Sequence, residues 1–301
     1  VLIDVQRTGP STGMPTRTQQ SDLTSAFYAS HGDTKQVLLF PATPKECFDF
    51  TADAFDLTER LQTPVLVMTD LDLGMNDHLS PPFQWDDQRR YDRGKVHSAD
   101  DLEKLQQFGR YQDVDGDGIP YRTIPGTHPT KGSYFTRGSS RDEMARYTED
   151  SEPYVRNMDR LLKKWNTAKD LVPAPEFYQE KDKGNQAMIF FGTSTYAALE
   201  AMEQLEAAGV PMDAMRIRAT PFSNAVRDFI GRHKTVYIVE QNRDAQMRSI
   251  LINELEIDPF KLIPVLNYDG MPITAEAITK QISRTLHNAS NGQAHAEAQH
   301  S

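Results

Sequence analysis

Arg7, with Gly9, Pro10, Ser11, Thr12 and Gly13 behind it, is the segment of this sequence whose residue types and spacing bear most directly on chemistry. A guanidinium is a planar fork that holds a carboxylate or phosphate through two parallel hydrogen bonds. Two glycines and two hydroxyl residues next to it let backbone amides approach the same anion. The segment follows VLIDV (residues 1–5), which reads as a buried strand, and ligands of open parallel sheets collect beyond the carboxyl ends of strands. Spacing alone supports a plain β-to-α turn with an exposed arginine equally well. GPSTG lacks the lysine and spacing of a Walker A loop, and it is not a GxGxxG fingerprint.

A second group, Asp113, Asp115, Asp117 and Gly118, opens like a calcium loop with acids at alternate positions. The twelfth position is Ile124, so the bidentate glutamate of such loops is missing, and an Asp/Gly turn capping its own amides is the favoured reading. No metal ligand is assigned. His78 and His128 sit in polar loops and His295 and His300 near the end, all without ligand-spaced partners. Cys47, the single cysteine, cannot form an internal disulfide or hold a cluster, and it falls in a helical apolar stripe. The charged stretches Arg141 to Arg146 and Arg156 to Lys164 read as mixed-sign helix surfaces.

These residues need a scaffold, and the chain has room for one. Its 301 residues are 38% hydrophobic and 25% charged, enough for two modest cores with long solvated connections. A net charge of -10 disfavours nucleic acid, the apolar runs are too short to span a bilayer, and the lone cysteine fits a cytoplasmic location. Residues 35–40 (KQVLLF) and VLVMTD after Pro64 read as strands around a helix opened by Thr43, Pro44 and Glu46, a capping box. Its expected buried stripe is Cys47, Phe50, Ala54, Leu57 and Leu61; an earlier helical window places Leu23, Ala26, Phe27 and Ser30 on one face. From Asp70 to about Gly184 periodicity fades, apart from a helix carrying Val155, Met158, Leu162 and Trp165 and a short, mostly polar one expected over Arg141 to Asp150. From Gln186 strands and helices alternate regularly to Leu286. The fold class is therefore α/β, with parallel sheets covered by helices.

The segment VQRTGPSTGMPTRTQQSDL resembles one in the alpha subunits of thiamine-dependent 2-oxoacid:ferredoxin oxidoreductases. DGIPYRTIPGTHPTKGSYFTRG from Asp117 and NYDGMPITAEAI from Asn267 resemble later parts of the same subunit, so the likeness covers nearly the whole chain. It implies that residues 1–75 are the second half of a pyrimidine-binding domain, 76–183 an irregular connector with one or two helices, 184–288 a transketolase C-terminal-like domain and 289–301 a flexible tail. By the same resemblance Arg7 matches the arginine that binds the 2-oxoacid carboxylate, with Gly9, Ser11, Thr12 and Gly13 shaping its loop. The family's Tyr-Pro-Ile-Thr-Pro motif and its acidic residue toward the aminopyrimidine are missing, and by the resemblance both would precede residue 1.

The resemblance implies oxidative decarboxylation of a 2-oxoacid, 2-oxoglutarate being favoured, with coenzyme A as co-substrate and reduced ferredoxin as a product. Thiamine diphosphate with magnesium would be held mainly by a beta subunit, which would also carry the [4Fe-4S] cluster, and the resemblance leaves open a gamma domain fused upstream on the same chain. No residue of this chain is assigned a direct catalytic or thiamine-contacting role. The alternatives are a subunit of another transketolase-like thiamine enzyme and a non-enzymatic calcium-binding or scaffold protein centred on Asp113.

Overall fold

The computed structural model describes residues 1–179 and 185–298. Strands β1 (Leu2–Gln6), β2 (Val37–Leu39) and β3 (Val65–Asp70) form a parallel sheet in the order β1-β3-β2. Leu2 lies opposite Leu66 and Gln6 opposite Asp70, so β1 and β3 end at the same level. β2 and β3 are buried throughout. β1 is a strand as expected but not a buried one: Leu2 and Ile3 are each 58% exposed, because the apolar clusters that cover β2 and β3 do not reach β1.

Helix α1 (Leu23–Phe27) buries Leu23, Ala26 and Phe27. Ser30, expected on the same face, lies past its end with φ 107° and is exposed. Helix α2 (Pro44–Leu61) starts as the capping residues predict, Thr43 Oγ1 accepting from the Glu46 N–H at 3.1 Å. The Glu46 carboxylate accepts in turn from the Ala42 N–H at 2.8 Å, one residue before the cap. Phe50, Ala54, Leu57 and Leu61 recur every three or four residues and pack on Val37, Leu39, Val65 and Val67. Cys47 stands at the edge of this stripe, half-buried.

Helices α3 (Leu71–Met75), α4 (Ala99–Lys104) and α5 (Ser151–Ala168) interrupt an irregular stretch. The window Arg141 to Asp150 is not helical. Its ends are drawn together by a bridge between Arg141 and Tyr147, and the Asp142 carboxylate accepts from the Met144 and Arg146 N–H groups at 2.9 and 2.8 Å. A side chain that satisfies nearby amides in this way competes with the helix.

The second sheet contains β4 (Glu176–Tyr178), β5 (Gln186–Phe191), β6 (Asp213–Ile217), β7 (Thr235–Glu240) and β8 (Leu262–Leu266) in the order β4-β6-β5-β7-β8, with only β4 antiparallel. Helices α6 (Ser194–Ala207), α7 (Asn224–Arg232), α8 (Gln246–Leu255) and α9 (Ala275–Ala298) complete the alternation. The sequence places β4 in the connector, since three residues near prolines are too few to show a period. The expected boundary near residue 184 lies outside the described residues. Helix α9 continues past residue 289, where a tail is expected, and residues 299–301 also lie outside the described set.

The two sheets meet in one core. Leu38, Phe40, Leu66 and Met68 from the first share a cluster with Ile189, Phe191, Met215 and Phe229 from the second unit. Backbone hydrogen bonds cross the same junction, Phe40 N–H to Arg218 O and Thr220 N–H to Leu38 O, both 2.8 Å. Beside them the buried Arg216 guanidinium donates to both oxygens of Glu46, to Glu176 at 3.1 Å and to the Phe40 carbonyl at 3.3 Å. No helix among the described residues is long and apolar enough to cross a membrane.

Candidate functional site

Arg7 directly follows β1, at the carboxyl end of the first sheet, and is half-buried. The chain then folds back on itself. The Met14 N–H donates to Thr8 O at 3.1 Å, Thr8 N–H to Arg17 O at 2.9 Å and Arg17 N–H to Met14 O at 3.0 Å, closing residues 8–17 into a compact loop. Gly13 adopts φ +51°, and a Cβ there would stand 2.2 Å from the Thr8 carbonyl oxygen, so the closure requires glycine. Arg7 Nη1 donates to the Thr12 carbonyl across the loop. The structure thus brings Arg7 and Thr12 into contact, exposes Ser11, Thr12 and Gly13 at the tip, and leaves Gly9 half-buried with no steric need for glycine.

The surroundings of Arg7 are acidic as well as cationic. Burial, reinforced by the charge of Asp22, pushes the Asp4 carboxyl up to about 6. Burial also raises Asp22, against the lowering pull of Arg7. Its backbone N–H donates to Gln6 Oε1 at 3.1 Å, which ties the carboxyl to the end of β1. A guanidinium between a half-desolvated carboxyl and an exposed loop can bind an anion without a permanent ion pair to break.

Beneath the loop, the carboxyl ends of β3, β5 and β7 converge in a buried polar network. Asp70 accepts from Gln20 Nε2 at 3.0 Å, Thr193 Oγ1 at 2.5 Å and the Leu73 N–H at 3.2 Å. Burial nevertheless raises its carboxyl above the usual range. Gln241 Nε2 reaches Thr193 at 3.0 Å and Ser194 at 3.2 Å. Fully buried Glu240 accepts from Asn242 Nδ2 and the Met247 N–H, both at 2.8 Å, and from the Arg248 N–H at 2.9 Å. It thereby caps α8, whose own N-cap Ala245 offers no side-chain acceptor. Sequence reasoning missed this network. Apart from Gln20, its members sit at or a few residues past the ends of the expected strands VLVMTD, AMIFF from Ala187 and TVYIV from Thr235, where the strand-end rule, applied to every strand, would have pointed to them.

The other candidates resolve into structure. Asp115 and Asp117 pair with Lys95 Nζ at 2.7 and 2.8 Å. Asp113 pairs with Lys163 at 3.2 Å and accepts from the Gly116 and Gly118 N–H groups at 3.0 Å. No group of three His, Cys, Asp or Glu among the described residues is placed to hold a metal ion. His128 is not the solvated side chain the sequence suggests: it is 8% exposed, Nδ1 accepts from the Thr130 and Lys131 N–H groups, and Nε2 faces Glu103 at 2.6 Å. Burial, with the charges of Asp70 and Glu46, pushes the Cys47 thiol up to about 11, leaving it a poor nucleophile at neutral pH.

Residues 1–100 match the family model described as pyruvate flavodoxin/ferredoxin oxidoreductase, thiamine diphosphate-binding. The alpha subunit of a 2-oxoacid:ferredoxin oxidoreductase from Saccharolobus solfataricus is 29% identical over 93% of this chain and 44% of that subunit. The chain is similar to alpha subunits of 2-oxoacid:ferredoxin oxidoreductases over nearly its whole length. The 2-oxoglutarate synthase subunit KorA from Methanothermobacter marburgensis is 46% identical over 27% of the chain and 22% of that subunit. A solved 2-oxoglutarate:ferredoxin oxidoreductase from Magnetococcus marinus, with 2-oxoglutarate, coenzyme A and succinyl-CoA bound, superposes with a TM-score of 0.80 at 26% identity, covering 94% of this chain and 48% of that one. The chain spans less than half the length of these full subunits. Within this chain, the Arg7 loop and the turn at Gly270, distant in sequence, are in contact: the Thr18 N–H donates to Gly270 O at 3.1 Å.

Proposed function

We propose that this chain supplies the substrate-carboxylate anchor of a thiamine-dependent 2-oxoacid:ferredoxin oxidoreductase, with Arg7 as the anchor. The observation that carries the reading is the placement of Arg7: half-buried at a strand's carboxyl end, on a closed loop, with no carboxylate in ion-pair contact among the described residues. In the ligand-bound state one of its N–H groups would exchange the Thr12 carbonyl for the 2-oxoacid carboxylate. Ser11, Thr12, Gly9 and Gly13 would shape the wall on that side. Holding the carboxylate fixes the adjacent keto carbon, and orientation of this kind is a large part of catalysis between two bound reactants.

No residue of this chain is assigned to the diphosphate and magnesium end of thiamine diphosphate. That end, together with a [4Fe-4S] cluster, belongs in this proposal to a beta subunit, and ferredoxin accepts the electrons. A cytoplasmic location is part of the proposal too. The domain division given by the family resemblance is part of the proposal, with β4 joined to the second unit and α9 running on to Ala298. 2-Oxoglutarate is the favoured substrate and coenzyme A the acyl acceptor. The KorA relatives and the ligands named for the Magnetococcus structure support these choices.

A panel of 2-oxoacids tests the substrate choice in the complex reconstituted with its beta subunit, following coenzyme A-dependent ferredoxin reduction. The expected result is a kcat/KM for 2-oxoglutarate at least about tenfold above that for pyruvate, the discrimination set by one well-placed polar contact. Equal or reversed preference would refute 2-oxoglutarate as the substrate.

A further inference from the structure

The Arg7 loop is held from upstream by its own sheet, but its downstream end is held largely from across the junction. Residues 18–24 run over the carboxyl ends of β7 and β8. Thr18 N–H donates to Gly270 O at 3.1 Å and Gln20 N–H to Gln241 O at 2.8 Å. Asn242 Nδ2 donates to Gln20 O at 3.0 Å. Gln246 Nε2 donates to Ser21 O at 2.7 Å, while its Oε1 accepts from the Thr24 N–H at 3.0 Å. Backbone groups of a segment that joins no sheet are thus satisfied by two side chains and two carbonyls of the second unit.

These side chains are themselves fixed. Asn242 is fully buried, accepts from the Gln246 N–H at 3.2 Å and donates to Glu240 at 2.8 Å. Gly270 packs against the loop with φ +87°, where a Cβ would stand 2.6 Å from Met14 Cε and 3.0 Å from Arg17 Cβ. The second unit contributes no residue to the proposed carboxylate site, yet it sets where the loop's far end lies. A displacement of about 1 Å in an oriented site is enough to cost on the order of a hundredfold in rate.

We propose that Asn242 and Gln246 are positioning residues for Arg7, fixing the downstream end of its loop from across the junction between the sheets. The proposal rests on Arg7 as the carboxylate anchor. Gln246 is half-buried at the start of α8, so its loss disturbs the core less than loss of the fully buried Asn242, which would remove one of the hydrogen bonds to Glu240.

The test uses the full alpha chain in complex with its beta subunit and pairs two readouts, steady-state kinetics and amide hydrogen exchange. In Gln246→Ala, exchange at Thr18, Gln20 and Thr24 should accelerate at least about tenfold, the factor for about 1.4 kcal/mol of local opening. KM for the 2-oxoacid should rise by roughly threefold to tenfold while kcat changes less. Gln246→Glu keeps the acceptor for the Thr24 N–H and should recover part of both effects. Asn242→Ala should show the same pattern more strongly. In an Arg7→Ala background, Gln246→Ala should add little further loss, since coupled residues are not additive. Unchanged exchange and KM in Gln246→Ala, or full additivity with Arg7→Ala, would overturn the proposal. Accelerated exchange together with an Arg7→Ala enzyme of normal KM would uphold the bracing of the loop and overturn the carboxylate reading instead.

Discussion

Replacing Arg216 with Met should destabilise the chain through the junction between its two sheets. The Arg216 side chain is 5% exposed, and it links Glu46 at the head of α2 with Glu176 on β4 and the Phe40 carbonyl. Breaking a buried ion pair by removing one partner costs about 3–5 kcal/mol. Two features reduce the figure here. Glu46 and Glu176 are 16% and 37% exposed, so water reaches them, and Arg218 remains near both at 3.5 and 3.4 Å. The expected loss is therefore about 2–4 kcal/mol, and urea unfolding of the alpha chain measures it. Adding Glu46→Gln should recover part of the loss, because the stranded charge is removed. Burial works to raise the Glu46 carboxyl, but hydrogen bonds from Arg216 and the Ala42 N–H and the charges of Arg216 and Arg218 outweigh it and hold the carboxyl below its ordinary value. A folded-state value lowered in this way gives stability that is present above the ordinary glutamate value, about 4.5, and lost as pH falls through the folded one. The acid limb of the stability curve should consequently be shallower in Glu46→Gln. A loss below about 1 kcal/mol, the range of an exposed pair, would refute the reasoning.

Three further outcomes follow from the site and its surroundings. Asp4→Asn should stabilise the chain at pH 7 relative to pH 4: a carboxyl raised to about 6 contributes stability below its ordinary value, about 3.9, that is lost as pH rises through 6, and melting curves at both pH values read the change. Gly13→Ala should strain the loop by about 1–3 kcal/mol, lower the unfolding midpoint accordingly and raise KM for the 2-oxoacid; an unaltered KM would show that the loop conformation does not matter for binding. Calcium should leave the melting temperature unchanged, because Lys95 and Lys163 already pair with Asp115, Asp117 and Asp113, and a saturable rise would show that the turn binds the ion.

The strands and long helices were legible because their burial is periodic: Phe50, Ala54, Leu57 and Leu61 announce α2 as clearly as Thr43 and Glu46 announce its start. β4 was not, since its pairing with Ala214 to Arg216 on β6 is a long-range fact that three residues cannot carry. The window at Arg141 misled because a mixed-charge pattern suits a helix surface, whereas Asp142 satisfies its neighbours' amides locally. Arg7 is singled out by residue type and by resemblance, and the fold sets it directly after β1. The network below it, Gln20, Asp70, Thr193, Gln241 and Asn242, was not, for each member is an ordinary polar residue until the fold brings the strand ends together. Sequence shows which groups can donate and accept. Topology decides which of them meet.

The measurement closest to the central claim is the kinetics of Arg7→Ala in the reconstituted complex, with Arg17→Ala as the control. Arg17 lies on the same loop but is exposed, its side chain reaching only the neighbouring Thr16 carbonyl at 3.4 Å. If Arg7 holds the substrate carboxylate, Arg7→Ala should lower kcat/KM for the 2-oxoacid at least about tenfold, since a charge-assisted hydrogen bond is worth about 1.5–3 kcal/mol. Arg7→Lys keeps the charge without the fork and should recover only part of it. Arg17→Ala should change little. Normal kcat/KM in Arg7→Ala would contradict the account at its centre, whichever family the chain belongs to.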